Sequence, residues 1–265
     1  MSRRELCAYL AERAAGGTAV ATLNVACSAI GHVHRTRDVD DPVAHPSVHQ
    51  VRMGLRRSYG IAPRRQARPL SVAEIRHILT RIDQTRPIGV RDAAIILLGH
   101  AGVLRRSELT ALTLADVEFK SAGLLLTLRR SKTDQDGRGQ VVGIAHGSHP
   151  GTDPVAALDA WFALRGHEPG PLFTRVFSSR VHREPLTGNT VTRMIHTRAR
   201  AAGLPAERIT AHSLRAGHAT TAALAGVPLT RIAAQTRHKD LGVLVNRYIR
   251  PLEALATTSS RDLGL

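Results

Sequence analysis

The sequence predicts a mainly α protein with one small antiparallel sheet, an α+β chain, on three observations. Apolar residues recur at helical spacing, several helix starts carry capping residues, and only residues 117 to 144 hold strand-like runs split by turn chemistry. A basic stretch with prolines and glycine, GIAPRRQARPL, interrupts these patterns and marks a linker. A chain of 265 residues is long enough for two domains. We expect a small helical domain over 1–62, a basic linker over 63–69 and a larger domain over 70–265.

The elements follow in order. Helices are expected over Arg3 to Ala14 and over Thr18 to about Arg35, the second from Val20, Leu23, Ala26, Cys27 and Ile30 at helical spacing. After the break DVDDPVAHP, a third helix runs from about Ser47 to Tyr59. Ser71 with Glu74 forms a capping box that opens a helix reaching about Asp83. Arg91 to about Val103 reads as a buried helix around AAIILLGHAG, and Arg105 to Leu112 as a short one after a break. Val117 to Phe119, Leu124 to Arg129 and Gln140 to Ile144 have strand character, with DQDGRG as turn chemistry. Lys132 then falls near a hairpin tip. Asp153 and Pro154 open the helix VAALDAWFAL, and Asn189 to Ala202 and Ala211 to Ala225 are further helices, the last stopped by Gly226. The remainder is helical in character.

Composition narrows the partners. Lys plus Arg number 37 against 21 Asp plus Glu, a formal charge of +16, so the chain attracts polyanions. Arg52, Arg56, Arg57, Arg64, Arg65 and Arg68 lie within seventeen residues that hold no acid, a cluster suited to phosphates. Aromatic residues make up only 3%, too few for the stacking platforms that bind single strands, which favours duplex DNA. Two cysteines, Cys7 and Cys27, offer neither a disulfide framework nor a Cys-based zinc spacing and fit a reducing cytoplasm. No long apolar run or signal-peptide core stands out, so no membrane association is expected.

An ordered series, Arg105, Lys132, His212, Arg215, His238 and Tyr248, carries the chemistry. A phenol with a pKa of about 10 attacks phosphorus near neutral pH only with a base and a positive surrounding. The series supplies both. The local motifs are GVLRRSEL at 102–109, RRSKTDQDG at 129–137, AHSLRAGHATTA at 211–222 and RHKDLGVLVNRYIR at 237–250. Together, and in this order, they resemble the tyrosine recombinase (phage integrase) family, closely over roughly 66–250 and loosely before that.

The resemblance implies roles for each residue. Arg105 contacts the scissile phosphate, held by Glu108 three residues along one helix; Arg106 points about 100° away. Arg215 is the second phosphate-clamping arginine, and His212, on the same helix face, accepts or returns a proton. Taken alone, His-x-x-Arg is more often a surface pair; its setting, HSLRAG, argues otherwise. Lys132 reaches the minor groove and protonates the departing 5′ oxygen. His238 hydrogen-bonds the phosphate. Arg237 stands where the family commonly has glycine, and the His238 to Tyr248 spacing is one residue longer than usual, an insertion assigned to a loop around Leu241 and Gly242. Tyr248 is the nucleophile.

The implied activity is site-specific strand exchange on duplex DNA through a 3′-phosphotyrosine, with ester energy conserved. No cofactor, ATP or metal is expected, and the motifs lack the carboxylate cluster a two-metal nuclease needs. The alternatives are a type IB topoisomerase-like enzyme and a DNA-binding remnant that has lost recombination. The second arises because residues 1–62 resemble the family's helical core-binding domain without its first helix, as though the chain were truncated. By the same resemblance the protein is a monomer or weak oligomer alone and a homotetramer on synapsed sites, with PLEALA in the tail docking on a neighbouring protomer.

Overall fold

The structure is a computed structural model that describes residues 1–61, 66–129, 139–238, 241, 242, 244 and 263. Arg64, Arg65, Lys132, Tyr248 and PLEALA lie outside the described residues. The chain forms two compact units, Met1–Gln66 and Ala67–Leu265.

The first unit is helical. α1 (Arg3–Ala15) opens on a capping box in which the Ser2 hydroxyl accepts the Glu5 N–H and the Glu5 carboxylate accepts the Ser2 N–H. α2 (Val20–Thr36) and α3 (Pro46–Tyr59) follow, separated by a 3-10 turn at Pro42–Ala44. Leu6, Leu10 and Ala14, four apart on α1, pack with Leu23, Cys27 and Val48.

In the second unit, α4 (Val72–Thr80) has the Ser71–Glu74 capping box that the sequence predicts. It stops short of Asp83 because the Asp83 carboxylate accepts the N–H and hydroxyl of Thr85, a local turn that competes with further helix. α5 (Pro87–Ala101) starts four residues earlier than expected, on a proline that suits a first turn. Every residue from Ala93 to Gly99 is buried, so α5 is the central element, packed on α7 (Pro154–Arg165) and α9 (Ala211–Leu224). α6 (Arg106–Ala111) and α8 (Gly188–Ala201) also pack on it, and α10 (Leu229–Thr236) packs on α9.

β1 (Val117–Lys120), β2 (Gly123–Leu128) and β3 (Gln140–Ala145) form one antiparallel sheet in that order, with Val117 opposite Leu126 and Leu128 opposite Gln140. Leu124, Leu126 and Leu128 alternate inward and meet Val142 and Ile144 in the core. A second antiparallel pair, β4 (Thr174–Phe177) with β5 (Arg180–Pro185), is absent from the sequence reading. Among the described residues no helix is long and apolar enough to cross a membrane.

Two features bind the second unit together. Gly217 in α9 lies against the segment leading into α4: a Cβ there would sit 1.9 Å from the Leu70 carbonyl oxygen, which explains the glycine two residues after Arg215. Asp92, 2% exposed, takes both Arg91 (2.7 and 3.0 Å) and Arg198 (2.7 and 2.9 Å), joining α5 to α8. Replacing Asp92 with alanine leaves two cations facing one another where water is scarce. The expected loss is about 3–5 kcal/mol, or on the order of 10 °C in melting temperature for a domain of this size. Thermal denaturation checks it; a melting point unchanged within error would mean that the arginines find other partners.

Candidate active site

The site is built at the ends of α5, α6, α9 and α10. Arg105 is not inside a helix, as the sequence reading had it, but is the N-cap residue of α6 with extended backbone (φ −73°, ψ 152°). The reason lies in Glu108. At the third helical position its carboxylate reaches back to accept the Arg105 N–H at 2.8 Å, leaving Arg105 outside the first turn. The same carboxylate also accepts from the Arg105 guanidinium, and Glu108 is only 3% exposed. Arg106, by contrast, is exposed and reaches Asn189 at 3.5 Å.

Arg215 is 1% exposed. Its guanidinium donates to the Val103 carbonyl at 2.5 Å and to the Thr236 carbonyl, so α9 is tied to the ends of α5 and α10. His212 is seated differently: it stays exposed in the first turn of α9, where its N–H caps onto the Thr210 hydroxyl. One helix face thus carries a buried cation and an exposed imidazole. The position three residues further on, His218, meets His100 of α5 edge to face at 5.5 Å.

His238 follows α10 directly. Its Nδ1 is 2.7 Å from the Thr236 hydroxyl, which itself donates to the Ala233 carbonyl. Burial first, then the charges of Arg215, Arg105, Arg237 and His212, push the His238 pKa down to about 4, so the ring is neutral at pH 7. Leu241 and Gly242 are helical rather than the loop expected for the extra residue, and Leu244 is fully buried with Ala216, Ala219 and Ile232.

Arg237 is the residue whose structural place the sequence reading missed. Its side chain is 6% exposed and bonds Glu108 at 2.7 Å, beside the Val103 and Gly102 carbonyls. The available signal was an arginine in a position where the family commonly has glycine. The Val103 carbonyl had no signal, since every residue carries one.

The six arginines grouped in the sequence are not equivalent. Arg56 and Arg57 are exposed in the last turn of α3. Arg52 spends two donors on the Asn24 amide oxygen at 3.1 and 3.2 Å, and Arg68 pairs with Glu74 at 2.5 Å. The seventeen-residue window holds no acid, but the fold supplies one to Arg68 from the next helix.

Burial, then the proximity of His218, also push the His100 pKa down to about 4, against the opposing effect of the Leu214 carbonyl hydrogen bond. The sign follows from linkage. Unfolded histidine, at about 6.5, takes up its proton before the folded ring does, so the stability that neutral His100 contributes is present above about pH 6.5 and is lost as pH falls toward about 4. The DNA-free protein should therefore lose melting temperature on acidification from pH 6.5, before most carboxylates titrate, and His100→Gln should flatten that slope. Parallel pH curves for the two proteins would refute this assignment.

This fold is that of DNA recombinases of known structure. The chain is similar to a lambda integrase dimer bound to a COC′ core site, with 21% identity over 96% of this chain and 66% of that one and a TM-score of 0.64. It is also similar to XerA recombinase, with 19% identity, coverage of 99% and 81%, and a TM-score of 0.55. The chain belongs to the phage integrase family, whose profile matches residues 68–254. It is 32% identical over 212 residues to an integrase/recombinase xerD homolog of Selenomonas ruminantium, covering 79% of this chain and 61% of that protein. It is 31% identical over 163 residues to tyrosine recombinase XerC of Chromohalobacter salexigens, covering 58% and 46%. The chain thus spans about half to three fifths of the length of these relatives.

Proposed function

We propose that this protein is a site-specific DNA recombinase that cleaves and rejoins duplex DNA through a 3′-phosphotyrosine. The observation that supports it best is the clustering of Arg105, Arg215 and Arg237 about neutral His238, with the buried Glu108 carboxylate shared by Arg105 and Arg237. In this reading Arg105 and Arg215 bind the non-bridging oxygens of one phosphate and stabilise the charge that builds on them in the transition state. His238 hydrogen-bonds the same phosphate.

Tyr248 attacks phosphorus. A bond forms between the phenolic oxygen and phosphorus as the bond to the 5′ oxygen breaks, His212 takes part in proton transfer, and Lys132 protonates the leaving 5′ oxygen. The 5′ hydroxyl of a partner strand then reverses the step, so the ester is conserved and no ATP is spent. Residues 1–62 act as a helical DNA-binding domain, with Arg56 and Arg57 on phosphates, residues 63–69 link it to the catalytic domain over 70–265, and four protomers assemble on two duplexes.

The test is covalent trapping. A duplex nicked close to the cleavage point loses its short 5′-hydroxyl strand on cleavage and strands the protein on DNA. A denaturation-resistant adduct is the expected result, and its absence across DNA flanking the gene would refute the reading.

A further inference from the structure

Arg237 holds a left-handed backbone (φ 57°, ψ 42°) at the C-cap of α10, a conformation that glycine adopts freely and arginine does not. Its side chain accounts for the choice. One nitrogen, Nη2, donates to Glu108 Oε2 at 2.7 Å and to the Val103 carbonyl at 3.0 Å, while Nη1 reaches the Gly102 carbonyl at 3.2 Å and the Gln235 carbonyl at 3.3 Å. Each of the first two acceptors also serves another arginine. Glu108 takes the backbone N–H and guanidinium of Arg105, and the Val103 carbonyl takes Nη1 of Arg215 at 2.5 Å. Val103 is itself held at a positive φ of 50°.

We propose that Arg237 is a positioning residue that fixes Arg105 and Arg215 relative to one another by clamping the two acceptors that hold them. Nη2 meets both acceptors while Nη1, in the same rigid plane, is anchored on the Gly102 and Gln235 carbonyls, a two-nitrogen arrangement that the single ammonium of a lysine does not reproduce. Electrically, the buried Glu108 carboxylate is shared between two cations, so Arg105 is not neutralised by it and keeps attraction for an external anion. With glycine at 237 the Glu108 charge falls on Arg105 alone. This rests on the recombinase reading only for the consequence in catalysis; the clamp itself is a property of the DNA-free protein.

Two measurements test it separately. The first is nitrogen-15 NMR of the arginine side chains without DNA. Slowly exchanging guanidinium signals of Arg105 and Arg215 are expected in the wild type and lost or broadened in Arg237→Gly, a variant suited to the left-handed backbone, with Arg237→Lys as a second variant that keeps the charge. Unchanged signals in both variants would overturn the clamp whether or not the protein cleaves DNA. The second is single-turnover cleavage of the nicked duplex. Arg237→Gly should bind a half-site nearly as wild type does but cleave about a hundredfold more slowly, the scale for catalytic groups shifted by about an ångström. Arg237→Lys should recover part of that rate. Adding Glu108→Gln to Arg237→Gly should cost little more than the worse single change, because the two act as a unit. Wild-type rates in Arg237→Gly, or fully multiplying effects, would overturn the catalytic consequence. A wild type that forms no adduct would instead refute the recombinase reading, leaving the NMR result to decide the clamp.

Discussion

Tyr248→Phe should abolish covalent attachment to DNA and leave duplex binding close to wild type. The substitution removes one oxygen and no cation, so the attraction for phosphate, which comes from the arginines, is retained. The effect is complete rather than graded because no other tyrosine follows Tyr59 in the chain, and a serine or water in its place would leave no phosphotyrosine. Binding is read by gel shift on a half-site and attachment by denaturing gel on the nicked duplex. Any denaturation-stable adduct from the mutant would move the nucleophile elsewhere.

Arg215→Ala should slow cleavage by at least about a hundredfold, the scale for removing one preorganised donor in a transition state. The structure gives this arginine a second duty, because it is almost fully buried and donates to the Val103 and Thr236 carbonyls. Truncation leaves a cavity and takes the Arg215 donor from the Thr236 carbonyl, while the Val103 carbonyl keeps Arg237, so some stability is lost as well. Arg215→Lys separates the two, since it fills much of the cavity and keeps a charge but cannot hold two phosphate oxygens in one plane. We expect the lysine variant to melt close to wild type and to cleave nearly as slowly as the alanine variant. Recovery of both together would assign Arg215 a purely structural part.

The contrast between the two sheets shows where legibility ended. In the first sheet β1 is mostly exposed, but β2 and β3 alternate buried Leu124, Leu126 and Leu128, and Val142 and Ile144, with more exposed positions, so a period of two is written in those residues. The strands β4 and β5 are mostly exposed and carry Arg175, Arg180, Arg183 and Glu184, so they show no such period. Their connection is equally silent. Ser178 and Ser179 both adopt positive φ, 48° and 62°, where an Asn-Gly would have announced the turn.

The sequence by itself determined the helix-rich fold class, the family motifs in their order, and the residue types able to handle a phosphate, because periodicity, caps and motif spacing are local and survive without a fold. Tertiary structure alone decided which of those cations are buried and what each is held by. Arg215 was buried on the Val103 and Thr236 carbonyls, and Arg52 was drawn onto the Asn24 amide. Arg237 joined the buried cluster because the Glu108 carboxylate and the Val103 carbonyl, 129 and 134 residues away in the chain, converge on it. Such pairings depend on distance in space and on the exclusion of water, and neither is encoded in the spacing of residues along the chain.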